Sequence, residues 1–244
     1  MTRRKAIITG ATRGIGRGLF LRLMESGADV ATIYHRDERA AEECRRLAQR
    51  ANVKLIIERI DAADFESLES FVRHVHGTFG KIDYLINNVG INTFKSIAEV
   101  TLEEWERAQD VLLNSAFYLS KLLLPIMRRQ RFGRIVNVGA SSRDYFHGAP
   151  GLGPFGIHKA ALAVLTKTLA LEEMSHGITV NMVAPGSTEG AGDVPEGERI
   201  PISLIPMGRR VRVDEVVEGI LFFLSESASA ITGQVLGING GLSV

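Results

Sequence analysis

Seven short runs of apolar, mostly β-branched residues alternate with longer amphipathic segments, and this alternation constrains the fold more than any other feature. The runs cover residues 6–9, 29–34, 53–58, 82–87, 134–138, 178–183 and 234–238. They are almost continuously apolar, as expected of strands buried on both faces. Helical patterns lie near 15–26, 38–51, 64–79, 101–129, 155–175 and 212–225. The series predicts an α/β fold with a seven-stranded parallel sheet and helices on both of its faces.

The length of the chain suits one such domain. Of its 244 residues, 45% are hydrophobic, which is enough to bury a full core. We therefore predict a single domain over residues 1–244. One long irregular segment, 186–207, is rich in glycine and proline and is interpreted as a flap over the substrate site rather than a domain boundary.

The charge balance and the cysteine content argue against several kinds of binding partner and site. Lys and Arg number 29 against 28 Asp and Glu, and no basic tail appears, which argues against a nucleic-acid partner. The single cysteine, Cys44, excludes a disulfide framework and a cysteine-based zinc site, and we predict no metal. The N-terminus does not resemble a signal peptide, and we expect no apolar run to approach the roughly 20 residues of a membrane span. We expect a cytoplasmic protein with no membrane partner.

Two helical segments, 111–127 and 160–171, are apolar nearly all round. A helix that packs on a sheet needs only one apolar face. The excess predicts a second buried face, most simply against another subunit, so that a homotetramer, or at least a dimer, is expected. The alternative is burial under the chain's own loops.

Three glycines, Gly10, Gly14 and Gly16, lie between the first predicted strand and the first predicted helix. Glycine there permits a tight turn and lets backbone N–H groups approach a phosphate. A glycine-rich loop that follows a strand and precedes a helix is a strong sign of dinucleotide binding.

The G-x-x-x-G-x-G spacing, followed by "NNVG" at 87–90 and "NMVAPG" at 181–186, resembles the classical short-chain dehydrogenase/reductase family. The resemblance extends over essentially the whole chain, and the most similar branch looks like the 3-oxoacyl-acyl-carrier-protein reductases. It implies a Rossmann-like sheet with strand order 3-2-1-4-5-6-7 and a nicotinamide cofactor across the strand ends.

The resemblance also implies which residues hold that cofactor. The pyrophosphate side would be held by Gly10, Arg13, Gly14, Ile15 and Gly16. The adenine would meet Asp61 and Ala62, while Asn88 and Gly90 would lie along the adenine ribose and the nicotinamide side. The carboxamide would lie near Pro185, Gly186, Ser187 and Thr188.

The end of the second strand indicates which nicotinamide cofactor is bound. An NAD enzyme usually presents a carboxylate there to bind the ribose 2′-hydroxyl. This chain has Tyr34, His35 and Arg36 instead, and Arg13 lies within the glycine loop. Two cations without a carboxylate suit a 2′-phosphate, so NADP(H) is predicted. The alternative is that both arginines are only solvated surface residues.

The family's catalytic helix carries Tyr-x-x-x-Lys, in which the tyrosine exchanges a proton and the lysine holds the nicotinamide ribose. Lys159 takes the lysine position, and Asn114 matches the asparagine of the family's water relay. The tyrosine position is occupied by Phe155, which has no hydroxyl to donate a proton.

The serine that would bind the substrate oxygen is displaced as well. Strand alignment places Ala140 at its position, whereas counting back from Phe155 gives Ser142, with Ser141 between them. We predict Ser142, with Ser141 as the second candidate. Simple turn chemistry is the alternative for both serines.

Phe155 leaves several explanations open. It can be a substitution made to stall an active enzyme, or a natural residue whose role passes to Tyr145, His147 or His158. The main hypothesis is an NADPH-dependent reductase of a carbonyl substrate, either a small molecule or an acyl thioester such as a 3-oxoacyl thioester. The alternatives are an NADP(H)-binding or sensing protein without turnover, and a reductase of imines or conjugated systems with another proton donor.

Overall fold

The computed structural model describes residues 3–141, 148, 150–190 and 199–242. Its strands are β1 Lys5–Thr9, β2 Asp29–Tyr34, β3 Leu55–Arg59, β4 Tyr84–Asn87, β5 Gly133–Val138, β6 Ile178–Pro185 and β7 Val235–Ile238. Its helices are α1 Gly14–Glu25, α2 Glu38–Arg50, α3 Phe65–Phe79, α4 Leu102–Gln109, α5 Ser115–Gln130, α6 Gly153–Glu173 and α7 Val213–Leu224. A π-helical turn, Asp110–Asn114, joins α4 to α5.

Within the described residues, the strands form one parallel sheet in the order β3-β2-β1-β4-β5-β6-β7. The α/β class and the strand order are thereby confirmed. The order reverses beside β1, between β1 and β4, and this is where open sheets of this type bind ligands at the carboxyl ends of their strands.

Burial follows the position of each strand in the sheet. Every residue of β2, β4 and β5 is buried, whereas the edge strands β3 and β7 are only partly covered. Helices α1 and α7 pack together on one face of the sheet, and α3 and α5 pack together on the other. The continuous apolar runs of the sequence therefore reflect helices on both faces.

Polar residues fix where several helices begin. The Asp37 and Asp64 carboxylates accept the Ala40 and Ser67 backbone N–H groups at the starts of α2 and α3. Such N-caps satisfy donors that the first turn cannot bond internally. The first acidic residue after β2 thus serves helix α2.

The helical segment Leu102–Gln130 has 29 residues and a mean hydropathy of 1.3 in its most apolar window, so by length and composition it could cross a membrane. The expectation that no apolar stretch is long enough was therefore wrong. Half of that window is buried inside the protein, as in the core helices of many globular domains, so this is weak evidence for a span.

Candidate active site

A cleft of about 920 Å³ lies at the carboxyl ends of the central strands, and it brings most of the predicted site residues together. The predicted residues that line it are Gly10, Arg13, Gly14, Ile15, Tyr34, His35, Arg36, Asp61, Ala62, Asn88, Gly90, Ser141, Phe155, Lys159, Pro185, Gly186, Ser187 and Thr188. Two described candidates, Gly16 and Asn114, are not among its lining residues.

The loop between β1 and α1 takes a shape that only glycine fits easily. Gly10 and Gly14 have positive φ angles of 72° and 53°, which L side chains rarely adopt. A Cβ on Gly16 would lie 2.2 Å from the Gly10 carbonyl oxygen, so Gly16 permits the close approach of α1 to the loop. Gly16 therefore shapes the loop and does not itself line the cleft.

Asn88 ties the glycine loop to the end of β4. Its side-chain NH₂ donates to the Thr9 and Gly10 carbonyl oxygens at 2.9 and 3.2 Å, and its backbone N–H donates to Thr9 Oγ1 at 2.9 Å. Both amide protons are therefore used within the protein. Asn88 lines the cleft, and its donors hold the loop in position.

The end of β2 and the glycine loop present exposed basic side chains to the cleft. Arg13, His35 and Arg36 are all exposed and line it. The Tyr34 hydroxyl donates to the Glu38 carboxylate, and one Asp37 oxygen accepts the Ala40 N–H at 2.9 Å as the cap of α2. The acidic side chains that directly follow β2 in the sequence, Asp37 and Glu38, are thus engaged by partners at the start of helix α2.

Asp61 follows β3 and is held by three partners. Arg107 donates to it at 2.8 Å, the Ala63 N–H donates at 3.0 Å, and His35 Nε2 lies 3.5 Å away. Burial raises the pKa of Asp61, but the hydrogen bonds from Arg107 and Ala63 and the nearby positive charges outweigh it, so the pKa is lowered. The sequence interpretation missed Arg107, which also lines the cleft and reaches Asp61 from helix α4.

Lys159 brings a buried charge to the cleft. Its side chain lies on α6, the residue is 5% exposed, and Nζ donates to the Val138 carbonyl oxygen at 2.6 Å. Burial lowers the pKa of Lys159 to about 8. An ammonium has three donors, and among the residues that the structure describes Lys159 Nζ has one acceptor, so two N–H groups remain for ligand oxygens. A buried lysine with this partner fits the ribose hydroxyls of a nicotinamide cofactor.

Phe155 lies one turn before Lys159 on the same helix and contributes an apolar surface to the cleft. Its ring meets that of Phe94 edge to face, with centroids 5.1 Å apart and planes at 76°. Leu152 and Ile200 line the same cleft. The position that would carry a hydroxyl in the family is therefore part of an aromatic wall.

His158 faces away from the cleft. It is 4% exposed, its Nδ1 lies 2.7 Å from the Pro154 carbonyl oxygen, and its ring centroid lies 4.7 Å from that of Trp105. Burial lowers the pKa of His158. The suggestion that His158 replaces the missing acid was therefore wrong, because its side chain packs between α6 and α4. The other two substitutes, Tyr145 and His147, lie outside the described residues.

Of the two serine candidates, Ser141 is in the cleft wall and Ser142 lies outside the described residues. Ser141 donates its backbone N–H to the Pro185 carbonyl oxygen at 2.9 Å, and its Oγ accepts a hydrogen bond from Asn239 Nδ2 at 2.8 Å. Ala140, which takes the family's serine position by strand alignment, lines the cleft beside it.

Asn114 ends the π-helical turn. Its side-chain NH₂ donates to Asp110 Oδ1 at 2.8 Å, and the turn packs against α6. Single π turns inside α-helices are frequent at functional sites. The geometry keeps Asn114 near the helix that carries Lys159, although its side chain is engaged within its own turn.

Thr188 closes the far side of the cleft. It is buried, its Oγ1 donates to the Gly186 carbonyl oxygen at 3.0 Å, and its backbone pairs with Val211. Across the described residues, no group of three or more His, Cys, Asp or Glu side chains is arranged to hold a metal ion.

Residues 10–243 match the family model described as enoyl-(acyl carrier protein) reductase. A 3-oxoacyl-acyl-carrier-protein reductase of Haemophilus influenzae is 34% identical over 240 residues, 97% of each chain. A double mutant of a short-chain dehydrogenase/reductase from Serratia marcescens superposes with a TM-score of 0.90 at 30% identity, over 99% of this chain and 98% of that one. An acetoin dehydrogenase from Salmonella typhimurium superposes with a TM-score of 0.86 at 28% identity, over 99% of this chain and 96% of that one.

Proposed function

Since the chain belongs to the short-chain dehydrogenase/reductase family of oxidoreductases, we propose that it is an NADPH-dependent reductase of a carbonyl substrate. The observation that carries the proposal is the Lys159 ammonium, buried at the floor of the cleft with one protein acceptor. A buried cation with unused donors is costly unless a ligand completes its hydrogen bonds. The ribose of a nicotinamide cofactor supplies such oxygens.

The choice of NADP(H) over NAD(H) rests on the end of β2. Arg36 lines the cleft there and Arg13 lines it from the glycine loop, while the first acid after β2 in the sequence, Asp37, caps α2. A 2′-phosphate gains charge-assisted hydrogen bonds from guanidinium groups, whereas a free 2′-hydroxyl gains much less.

The protein's own residues would act on the substrate oxygen and on the cofactor's orientation. When bound there, a reduced nicotinamide would supply the hydride for the carbonyl carbon. Ser141 donates its hydroxyl to the oxygen on which negative charge develops. Lys159 would hold the ribose hydroxyls of the cofactor and so orient its nicotinamide. Phe155 has no proton to donate. The proton that completes the alcohol would therefore come from water in the cleft or from a residue other than Phe155.

The walls of the cleft favour an apolar substrate. Phe94, Leu152, Phe155, Ile200 and Leu242 all line it. Apolar walls gain affinity from groups that they remove from water and orient the substrate by excluding polar ones. A ketone or thioester with an apolar chain beside the carbonyl fits this surface, and a 3-oxoacyl thioester is one member of that class.

The same Phe155 favours a second candidate function. An edge-to-face ring pair with Phe94, in place of a hydroxyl, suits a protein that binds NADP(H) without turnover. A reductase of imines or conjugated systems is a third candidate, because protonation in those reactions need not come from position 155. The cofactor site is shared by all three, so substrate turnover separates them.

We also propose that the protein is a cytoplasmic homotetramer, with a dimer as the minimum. Ile157, Val164 and Leu171 on α6 are 47%, 53% and 86% exposed and recur every seven residues. Phe117 on α5 is 41% exposed. Contiguous apolar helix surface of this kind is typical of subunit interfaces.

The test has two parts. Nicotinamide fluorescence measures the affinity for NADPH and NADH, and NADPH oxidation is then followed with ketones, 3-oxoacyl thioesters and cyclic imines. We expect tight NADPH binding and turnover of at least one carbonyl. NADPH binding without turnover of any carbonyl would refute the reductase and leave the binding protein or the imine reductase, according to the imine result.

A further inference from the structure

We propose that Asn239 is a positioning residue, which fixes the Ser141 hydroxyl as a hydrogen-bond donor to the substrate oxygen. The pair joins two segments that lie 98 residues apart in the sequence, with Asn239 Nδ2 2.8 Å from Ser141 Oγ. This assignment rests on the proposed reductase function. It gives the oxyanion-binding role to Ser141 and adds a residue behind it that the sequence pattern did not single out.

The backbone holds both residues in place by continuing the sheet beyond its strands. The Ser141 N–H donates to the Pro185 carbonyl oxygen at 2.9 Å, and the Gly186 N–H donates to the Ile238 carbonyl oxygen at 2.9 Å. A Cβ on Gly186 would lie 2.8 Å from Asn239 Cα, so glycine is what lets the two chain segments approach. The pair is therefore built on the ends of β5, β6 and β7 and not on a free loop.

A second hydrogen bond determines which way the Asn239 amide faces. The Gly241 N–H donates to Asn239 Oδ1 at 3.0 Å, and only the amide oxygen can accept it. The NH₂ group consequently lies on the Ser141 side and donates to the Ser141 oxygen. The hydroxyl has one proton, and within the part of the chain that the structure describes it has no second partner. That proton remains available on the wall of the cleft.

Ala140 explains why the Ser141 hydroxyl would have to be positioned by another residue. A carbonyl reductase of this type requires a hydroxyl at the oxyanion, and Ala140 offers a methyl group at the position that strand alignment assigns to it. Ser141 is the next residue and also lines the cleft. With Asn239 donating to the Ser141 oxygen, the hydroxyl proton is available to a substrate oxygen in the cleft, which Ser141 lines.

Asn239→Asp tests this with almost no change in shape. The carboxylate still accepts the Gly241 N–H but cannot donate to Ser141, so the serine proton turns toward the carboxylate. We expect kcat for the best carbonyl substrate to fall about 10²- to 10³-fold, as when one oxyanion donor is removed. Ser141→Ala should show a similar loss, and the double variant should lose little more. NADPH affinity should stay within about twofold.

The pH profile separates positioning from a structural effect. In Asn239→Asp, kcat relative to the parent should recover as the pH falls through the range in which the new carboxyl group protonates, because a neutral acid can again donate to Ser141. A structural defect would not recover in this way. Asn52→Asp, at an exposed turn, is the matched control for the added charge and should keep the parent's rate.

The outcomes distinguish the two levels of the proposal. If the parent is active and Asn239→Asp keeps the parent's kcat, the positioning role alone is overturned. The same holds if the losses in kcat of Asn239→Asp and Ser141→Ala multiply in the double variant. If the parent binds NADPH but neither it nor its Phe155→Tyr variant turns over any carbonyl, the proposed reductase function is overturned, and this inference with it.

Discussion

Replacing Lys159 by methionine is expected to stabilise the cofactor-free protein near neutral pH while it abolishes NADPH binding. The two side chains have similar length and apolar stems, so the exchange mainly removes the charge and the hydrogen bond to the Val138 carbonyl oxygen. The prediction follows from the burial that lowers the pKa of Lys159 from 10.5 to about 8. Burial of this charge lowers the free energy of unfolding of the protein without cofactor.

The magnitude comes from the linkage between protonation and folding. Each tenfold change in proton affinity is worth about 1.4 kcal/mol, so the lowered pKa corresponds to about 3 kcal/mol. Below pH 8 the lysine is charged in both the folded and the unfolded state, and the full penalty is present. Between about pH 8 and 10.5 the folded state binds fewer protons, so the stability of the parent rises with pH across that window.

Loss of the hydrogen bond offsets part of this gain. Leaving the Val138 carbonyl oxygen without its partner costs about 1–3 kcal/mol. For Lys159→Met we therefore expect a net gain of up to about 2 kcal/mol in the free energy of unfolding at pH 7, which corresponds to a rise in Tm of up to about 8 °C. The gain should disappear by about pH 10, where the buried lysine of the parent is neutral.

Urea denaturation of both proteins without cofactor, at pH 7, 8, 9 and 10 and at equal protein concentration, measures the difference. Lys167→Met on the exposed side of the same helix is the matched control and should change stability by less than about 0.5 kcal/mol. A Lys159→Met variant that is less stable than the parent at pH 7, or a difference that does not vary with pH, would refute the reasoning.

Three further perturbations test the cofactor, the missing hydroxyl and the assembly. Arg13→Ala and Arg36→Ala should each weaken NADPH binding about tenfold or more and leave NADH binding nearly unchanged; equal effects on both cofactors in fluorescence titrations would contradict the 2′-phosphate assignment. Phe155→Tyr should raise carbonyl reduction about 10²- to 10⁴-fold, since it places an acid one turn from Lys159, and an unchanged rate for a protein that binds NADPH normally would count against it. Leu171→Glu on the exposed face of α6 should shift the protein to smaller species in light scattering, whereas a parent that is already monomeric at micromolar concentration would remove the basis for a tetramer.

The sequence was sufficient for the elements and their order but not for where two strands begin. The predicted third and fourth strands each started two residues too early, at 53 and 82, and the reason lies in side chains. Asp29 accepts the Lys54 N–H at 2.8 Å, and Asp83 accepts the Lys5 N–H at 2.8 Å. The Lys54 and Lys5 N–H groups therefore bond a carboxylate instead of a backbone carbonyl, and a pattern of apolar residues contains no sign of this.

The helix predicted over 101–129 shows a similar limit. The structure divides it by the π turn Asp110–Asn114, while the apolar periodicity continues through that turn. A π turn adds one residue to the local repeat, and the following residues shift round the helix axis. Pattern counting averages over such a shift, so the existence of the helix was predictable and its irregularity was not.

In the candidate site, too, the contacts between neighbouring residues were predictable from the sequence, and those between distant residues were not. The glycine loop was predictable because its chemistry lies in a few consecutive residues with positive φ. Arg107 reaches Asp61 across 46 residues and Asn239 reaches Ser141 across 98, so neither pair leaves a signal at any fixed spacing. Such contacts depend on which helix and strand ends meet at the cleft, and only the folded arrangement gives that.

Lys159 and Phe155 together constrain how the site can have been retained. A buried ammonium whose pKa is lowered to about 8 destabilises the protein without ligand, and a mutation to an apolar residue would relieve that cost. The lysine has nonetheless been kept one turn from a residue that cannot donate a proton. A site in which neither group had a use would tend to lose the costly lysine first. On the proposed function, the cofactor contact of Lys159 would account for this buried charge, whereas Phe155 has no proton to donate at the neighbouring position.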